Sequence, residues 1–146
     1  VSAVLPYDPI NKKIVLIQQF RPGTISRNIN NYLDEIVAGI IDLGENPEET
    51  AVRECFEETG CKAKNLREIQ GYFPAPGSSE SFYHLFLGEV VAPNKEIIKG
   101  LENENEDILV KSYTFKEVKK KMENNEILNG LTLIALQWFF LNIYKS

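Results

Sequence analysis

Between Gly39 and Cys61 the chain reads GIIDLGENPEETAVRECFEETGC, a stretch that constrains fold and chemistry more than any other in the sequence. Asn46 is a strong N-cap, Pro47 suits the first helical position, and Glu49 stands where a capping-box acid reaches back, so the pattern predicts a helix starting here. Gly60 supplies its stop. At roughly 100° per residue, Glu54, Glu57 and Glu58 fall within about one third of the circumference and form one acidic stripe. Val52, Cys55, Phe56 and Thr59 are expected on the other side, as the face the helix buries. Arg53 lies four residues before Glu57, the spacing of an ion pair along a helix.

Three neighbouring carboxylates repel one another and raise each other's pKa unless a cation sits among them. Magnesium, or manganese in its place, is the expected cation: a hard ion that accepts carboxylate, water and phosphate oxygens. The plain alternative is a Glu-rich solvated face, which an arbitrary EE run would favour. Here the glycine, glutamate and arginine spacings are too dense for that.

A chain of 146 residues with 43% hydrophobic and 25% charged residues fits one domain with a real core, spanning residues 1–146. Its net charge of −5 gives no basic footprint for nucleic acid, so an anionic ligand must be met by local positive charge and metal. No apolar run reaches the roughly 18 residues of a spanning helix, and no charged-then-apolar leader opens the chain, so no membrane partner is expected. Val1 already stands in strand-like sequence, which we read as a processed or trimmed start. Cys55 and Cys61 sit on one short segment and point apart, so no disulfide is expected, and the low count suits a reducing cytoplasmic compartment. His84, the sole histidine, alternates with Phe82 and Phe86 and reads as a packed or interface residue rather than a ligand or base.

Strand-like runs are Ala3 to Leu5, Ile14 to Phe20, Leu33 to Val37, Ile69 to Phe73, Ser81 to Val91 and Ile108 to Thr114. PYDPINKK between the first two predicts a hairpin turn. Thr114 with Glu117 opens a helix to about Glu123, and Leu131 to Tyr144 reads as a last amphipathic helix with Leu131, Ile134, Ala135, Trp138 and Phe139 inward. Strands and helices intermixed in this order predict an α/β fold, with a mixed β-sheet between helical layers in an α/β/α sandwich.

The Gly39–Cys61 string resembles the signature of the Nudix hydrolases at every charged and glycine position, departing only where Cys55 and Cys61 fill aliphatic slots. VLIQQFRPG, PAPGSSES, GLENENEDI and NGLTLIALQW extend the likeness to the ADP-ribose pyrophosphatase branch, and Pro76 stands fifteen residues beyond Cys61, where that branch carries a marker proline. The resemblance implies a Nudix-type sandwich and magnesium-dependent hydrolysis of a nucleotide sugar, ADP-ribose to AMP and ribose 5-phosphate. The alternatives are a different substrate such as GDP-mannose, or a module that senses ADP-ribose without cutting it. It further implies a homodimer, although the N-terminal segment that such proteins use for dimerisation is expected to be missing here.

On the same resemblance, Glu54, Glu57, Glu58, Glu106 and the Ala38 carbonyl hold metal, Glu104 activates water with Glu57 and Glu58 in the catalytic set, and Glu45 supports the loop. Pro76 and Gly77 shape a wall beside a ribose, and Glu80 contacts the terminal ribose. Two further residues have their own physical reading. Arg21, at a strand end facing a loop, is placed for a guanidinium to fork onto phosphate, the alternative being a surface salt bridge. Gly39 is expected to let backbone approach the diphosphate. Composition alone makes Glu102 to Asp107 a solvated acidic loop.

Overall fold

In a computed structural model that describes residues 1–145, Asp8 organises the first turn. Its Oδ1 accepts from the N–H groups of Ile10 (3.0 Å) and Asn11 (2.9 Å), and its Oδ2 from the Ala92 N–H at 3.0 Å. The hairpin expected from PYDPINKK follows: β1 (Ser2–Asp8) runs antiparallel to β2 (Lys13–Gln18), with Tyr7 opposite Ile14.

β1 is central. It pairs in parallel with β5 (Tyr83–Glu89) and antiparallel with the short β3 (Val37–Gly39). β4 (Lys64–Tyr72) flanks β5, while β7 (Ile108–Thr114) and then β6 (Ile97–Lys99) extend the other side, in the order β4-β5-β1-β2-β7-β6. The sheet is therefore mixed, as expected. Alternate strand residues feed two cores, because successive side chains point to opposite faces. Ala3, Leu5, Ile14, Leu16, Leu85 and Leu87 pack against α2 (Phe115–Glu123) and α3 (Gly130–Asn142). Val4, Val15, Ile17, Phe86 and Val110 pack on Ala51 and Cys55 of α1 (Pro47–Thr59). This is the α/β/α sandwich.

Both capping boxes form: Asn46 with Glu49 starts α1, and Thr114 with Glu117 starts α2. Gly60 ends α1 at φ +74°, a left-handed conformation that favours glycine.

The buried faces of two helices differ from expectation. In α1 Thr50 is buried together with Ala51, Cys55, Glu58 and Thr59, an i, i+4, i+7, i+8 row, while Phe56 is 60% exposed. The apolar row thus adjoins the acidic stripe and takes Glu58 inside with it. In α3 the buried set is Thr132, Ala135, Leu136 and Phe139, and Ile134 faces out. Leu131 and Trp138 also pack on this core, partly buried, so of the five residues expected inward only Ile134 turns out; Thr132 is buried because its Oγ1 accepts from the Ile36 N–H at 3.0 Å. Leu136→Ala should accordingly cost about 2–5 kcal/mol in urea denaturation, and Ile134→Ala no more than about 0.5 kcal/mol.

Leu33 to Val37 is not a continuous strand. Ile17 and Glu35 exchange both backbone hydrogen bonds at 2.9 Å and Phe20 bridges Tyr32, but regular pairing begins only at Val37. Buried side chains pin this segment instead: Asp34 accepts from Gln18 Nε2 (2.8 Å), Tyr113 Oη (3.1 Å) and Lys121 Nζ (3.0 Å). β6 had no alternating pattern to reveal it and exists by pairing with β7.

Candidate active site

The site is built where α1 crosses β3. Ser2 at the start of β1 donates its hydroxyl to the Pro47 carbonyl, and opposite it in register lies Gly39, so one strand fixes both the helix start and β3. A Cβ on Gly39 would coincide with the Glu54 carboxylate. In this structure the glycine therefore makes room for an acid of α1.

Arg53 is the hub of the acidic stripe. Its Nε donates to Glu45 Oε1 at 2.8 Å; Nη1 donates to Glu54 Oε1 at 2.9 Å and Glu57 Oε2 at 3.0 Å; Nη2 reaches Glu45 Oε2 at 3.0 Å and the Ile40 carbonyl at 3.2 Å. The expected Arg53–Glu57 pair is present and is one of several. Glu45 also accepts from Thr50 Oγ1 at 2.7 Å, and the Arg53 hydrogen bonds hold its carboxyl down to about 2. It ties the loop before α1 to the helix, which is a supporting position.

Glu58 is the unusual member of the stripe. It is 3% exposed, and its Oε2 is buried with no hydrogen-bond partner. Burial first, then the Glu54 and Glu106 carboxylates, push its pKa up to about 9, opposed by the Ala38 N–H and the charge of Arg21. Burial likewise raises Glu54, against the pull of Arg53. Ala38 is thus in contact with Glu58, here through its N–H. A buried carboxylate with a bare oxygen and two acidic neighbours is the kind of oxygen-rich group that a hard cation would satisfy.

Against this, among the described residues no group of three or more His, Cys, Asp or Glu side chains is already arranged to hold a metal ion. Arg53 accounts for the difference, since it engages Glu54 and Glu57. It takes one oxygen of each, Glu54 Oε1 and Glu57 Oε2, which leaves the second oxygen of each carboxylate to offer. The residues present fit a hard divalent ion held by oxygen ligands.

Glu106 is brought to this cluster by its own loop. Gly100 at φ +108° lies against the Glu106 backbone, and the Glu106 N–H donates to the Leu101 carbonyl at 3.2 Å. Closing the loop at its base leaves Glu102 to Asn105 at the tip, so Glu104 stands exposed on the 3₁₀ turn Glu102–Glu104. Pro76 and Glu80 lie exposed in the β4–β5 connection, where the Ala75 carbonyl accepts from the N–H groups of Ser78 and Ser79. No hydrogen bond or ion pair among the described residues joins them to the α1 acids. His84 packs its ring at 5.0 Å against Phe82, away from any catalytic arrangement. Cys55 and Cys61 are free and buried, and burial pushes the Cys55 thiol up to about 12, which makes it inert as a nucleophile.

Arg21 does not stand free. Its Nε donates to Glu35 Oε2 at 2.7 Å, and its charge acts on Glu58. It lines a cavity of about 380 Å³ with Leu33, Glu35, Ala38, Tyr83 and Asn129. Neither Glu35 nor Asn129 was assigned a role from the sequence; the signals available were a pair of acids inside the apolar run YLDEIVAG and the place of Asn129 at the head of NGLTLIALQW.

The family model described as the NUDIX domain matches residues 1–131. The chain is similar to an ADP-ribose pyrophosphatase of Haemophilus influenzae, 38% identical over 97% of this chain and 66% of that protein. It is also similar to an ADP-ribose pyrophosphatase of Escherichia coli (35% identical, 97% and 68%) and a GDP-mannose pyrophosphatase of Shigella flexneri (31% identical, 94% and 71%). It spans just under two thirds of the length of the Haemophilus influenzae relative. The glycine-to-glycine box that runs from β3 through α1, the mixed-sheet sandwich that presents it and the match over residues 1–131 together place the chain: it belongs to the NUDIX domain family.

Proposed function

We propose that the chain hydrolyses the diphosphate of a nucleotide sugar, and that its substrate is ADP-ribose, released as AMP and ribose 5-phosphate. The observation that carries this is Glu58, buried with a bare oxygen on the helix that holds the box and acted on by the charges of Glu54 and Glu106. A purely sensing module has no use for that arrangement.

Glu54, Glu57, Glu58 and Glu106, with the Ala38 carbonyl, would hold the cation, for which magnesium is the proposed ion. When bound, such an ion neutralises diphosphate charge and acidifies water. The remaining work belongs to the chain. Arg53 orients Glu54 and Glu57, and Glu45 steadies Arg53. Arg21 offers its outer nitrogens to phosphate oxygens. Glu104 takes the proton of the attacking water as its oxygen joins phosphorus and the P–O–P bridge breaks; its exposed resting position at a loop tip suits a group that moves in when substrate arrives. Gly39 keeps β3 slim beside the diphosphate, and Pro76 and Glu80 contact the terminal ribose.

The two buried free cysteines suit a cytoplasmic setting, and no described helix is long and apolar enough to cross a membrane. The assembly we propose is a homodimer. GDP-mannose is the rival substrate, because one relative bears that activity in its name. Comparing kcat/KM for the two nucleotide sugars at equal magnesium tests the choice: a higher value for ADP-ribose is expected, and an equal or reversed ratio overturns the substrate while leaving the diphosphate chemistry.

A further inference from the structure

Glu35 is 5% exposed, yet both of its carboxylate oxygens are committed. Oε2 accepts from Arg21 Nε at 2.7 Å, and Oε1 accepts from Asn129 Nδ2 at 2.9 Å. Asn129 is in turn the N-cap of α3, its Oδ1 accepting from the Thr132 N–H at 2.9 Å and the Thr132 hydroxyl at 2.8 Å. Thr132 Oγ1 then accepts from the N–H of Ile36, the residue next to Glu35, at 3.0 Å. The chain of bonds closes on itself and locks one carboxylate between a helix terminus and a sheet.

Only the inner edge of Arg21 is used in this lock. Its backbone N–H is fixed to the Asn31 carbonyl at 2.9 Å and its Nε to Glu35. Neither Nη1 nor Nη2 makes a hydrogen bond to any described residue, and the guanidinium lines the same cavity as Ala38, close enough to Glu58 for its charge to be felt there. With Arg21 44% exposed the pair contributes little to stability, and burying Glu35 carries a desolvation cost that a surface pair would avoid. The arrangement makes sense as a device that aims a guanidinium fork at an anionic group while taking one of its donors out of play.

We infer that Glu35 and Asn129 are positioning residues, which hold Arg21 so that its two outer nitrogens face the diphosphate. This rests on the reading of the site as a nucleotide-sugar hydrolase. Glu35→Gln keeps the shape but presents an amide N–H₂ to one of the two donors, and Asn129→Ser keeps a cap for α3 while removing the donor to Glu35.

The experiment measures kcat and KM for the best-cleaved nucleotide sugar, together with the Arg21 Nε–Hε resonance by nitrogen-15 NMR, in wild type, Glu35→Gln, Asn129→Ser, Arg21→Lys and the Glu35→Gln/Arg21→Lys double variant. Loss of one charge-assisted bond should raise KM roughly tenfold or more in Glu35→Gln, with kcat within about threefold of wild type. In the double variant the effects of Glu35→Gln and Arg21→Lys should be less than additive, because the two residues act through one contact. The Arg21 resonance should move in both Glu35→Gln and Asn129→Ser. A folded Glu35→Gln protein with unchanged KM, or an unmoved Arg21 resonance, overturns the inference with the hydrolase reading intact. Wild-type protein that cleaves no nucleotide sugar overturns that reading itself, and the positioning role with it.

Discussion

Glu58→Gln should abolish turnover and leave the fold intact. A carboxylate that holds the catalytic cation is worth several kcal/mol of transition-state stabilisation, so kcat should fall roughly a thousandfold or more. Glutamine has the same shape and no charge, so the variant removes the donor without opening a cavity. Its effect on stability has a sign that a surface glutamate would not show. In the cation-free fold, burial and two acidic neighbours keep the Glu58 proton on up to about pH 9, against an ordinary value of 4.5. Between those values the folded state binds the extra proton and the unfolded chain does not. The stability conferred by the neutral carboxyl is therefore complete below about pH 4.5 and is lost as pH rises toward about pH 9. Thermal melts in chelator should show wild type weakening over that window, and Glu58→Gln holding its melting temperature. Activity within a few-fold of wild type at saturating magnesium would remove Glu58 from the site.

Glu104→Gln should lower kcat by roughly a hundredfold or more while substrate still binds, the signature of a lost general base. Glu102→Gln should do little. Both residues are exposed on the same 3₁₀ turn, so no difference in packing or stability separates them and a difference in rate isolates chemistry. Stopped-turnover binding beside steady-state kinetics makes the distinction. Two variants that behave alike would send the search for the base back to the acids of α1.

What the sequence made legible was local. Asn46 with Glu49, and Thr114 with Glu117, specify helix starts through bonds three residues apart, and both formed. Arg53 and Glu57 are neighbours by helical geometry alone. The acidic stripe of α1 was visible on a wheel, but which of its edges turns inward was not. That depends on β3 and the sheet beneath, and it put Glu58 inside and Phe56 outside. The inward face of α3 was legible in Leu131, Ala135, Trp138 and Phe139 but not in Thr132, which answers a backbone N–H from a residue ninety-six positions earlier. Arg21 was singled out by its place at a strand end. Its partner Glu35, fourteen residues on, and Asn129, ninety-four beyond that, meet only when the sheet and α3 are assembled.

The direct test of the central claim is the product analysis of wild-type protein incubated with ADP-ribose, in magnesium and in chelator. AMP and ribose 5-phosphate should form in equal amounts with magnesium, and neither should form in chelator. Intact ADP-ribose under both conditions, or cleavage that persists when the metal is removed, would contradict it.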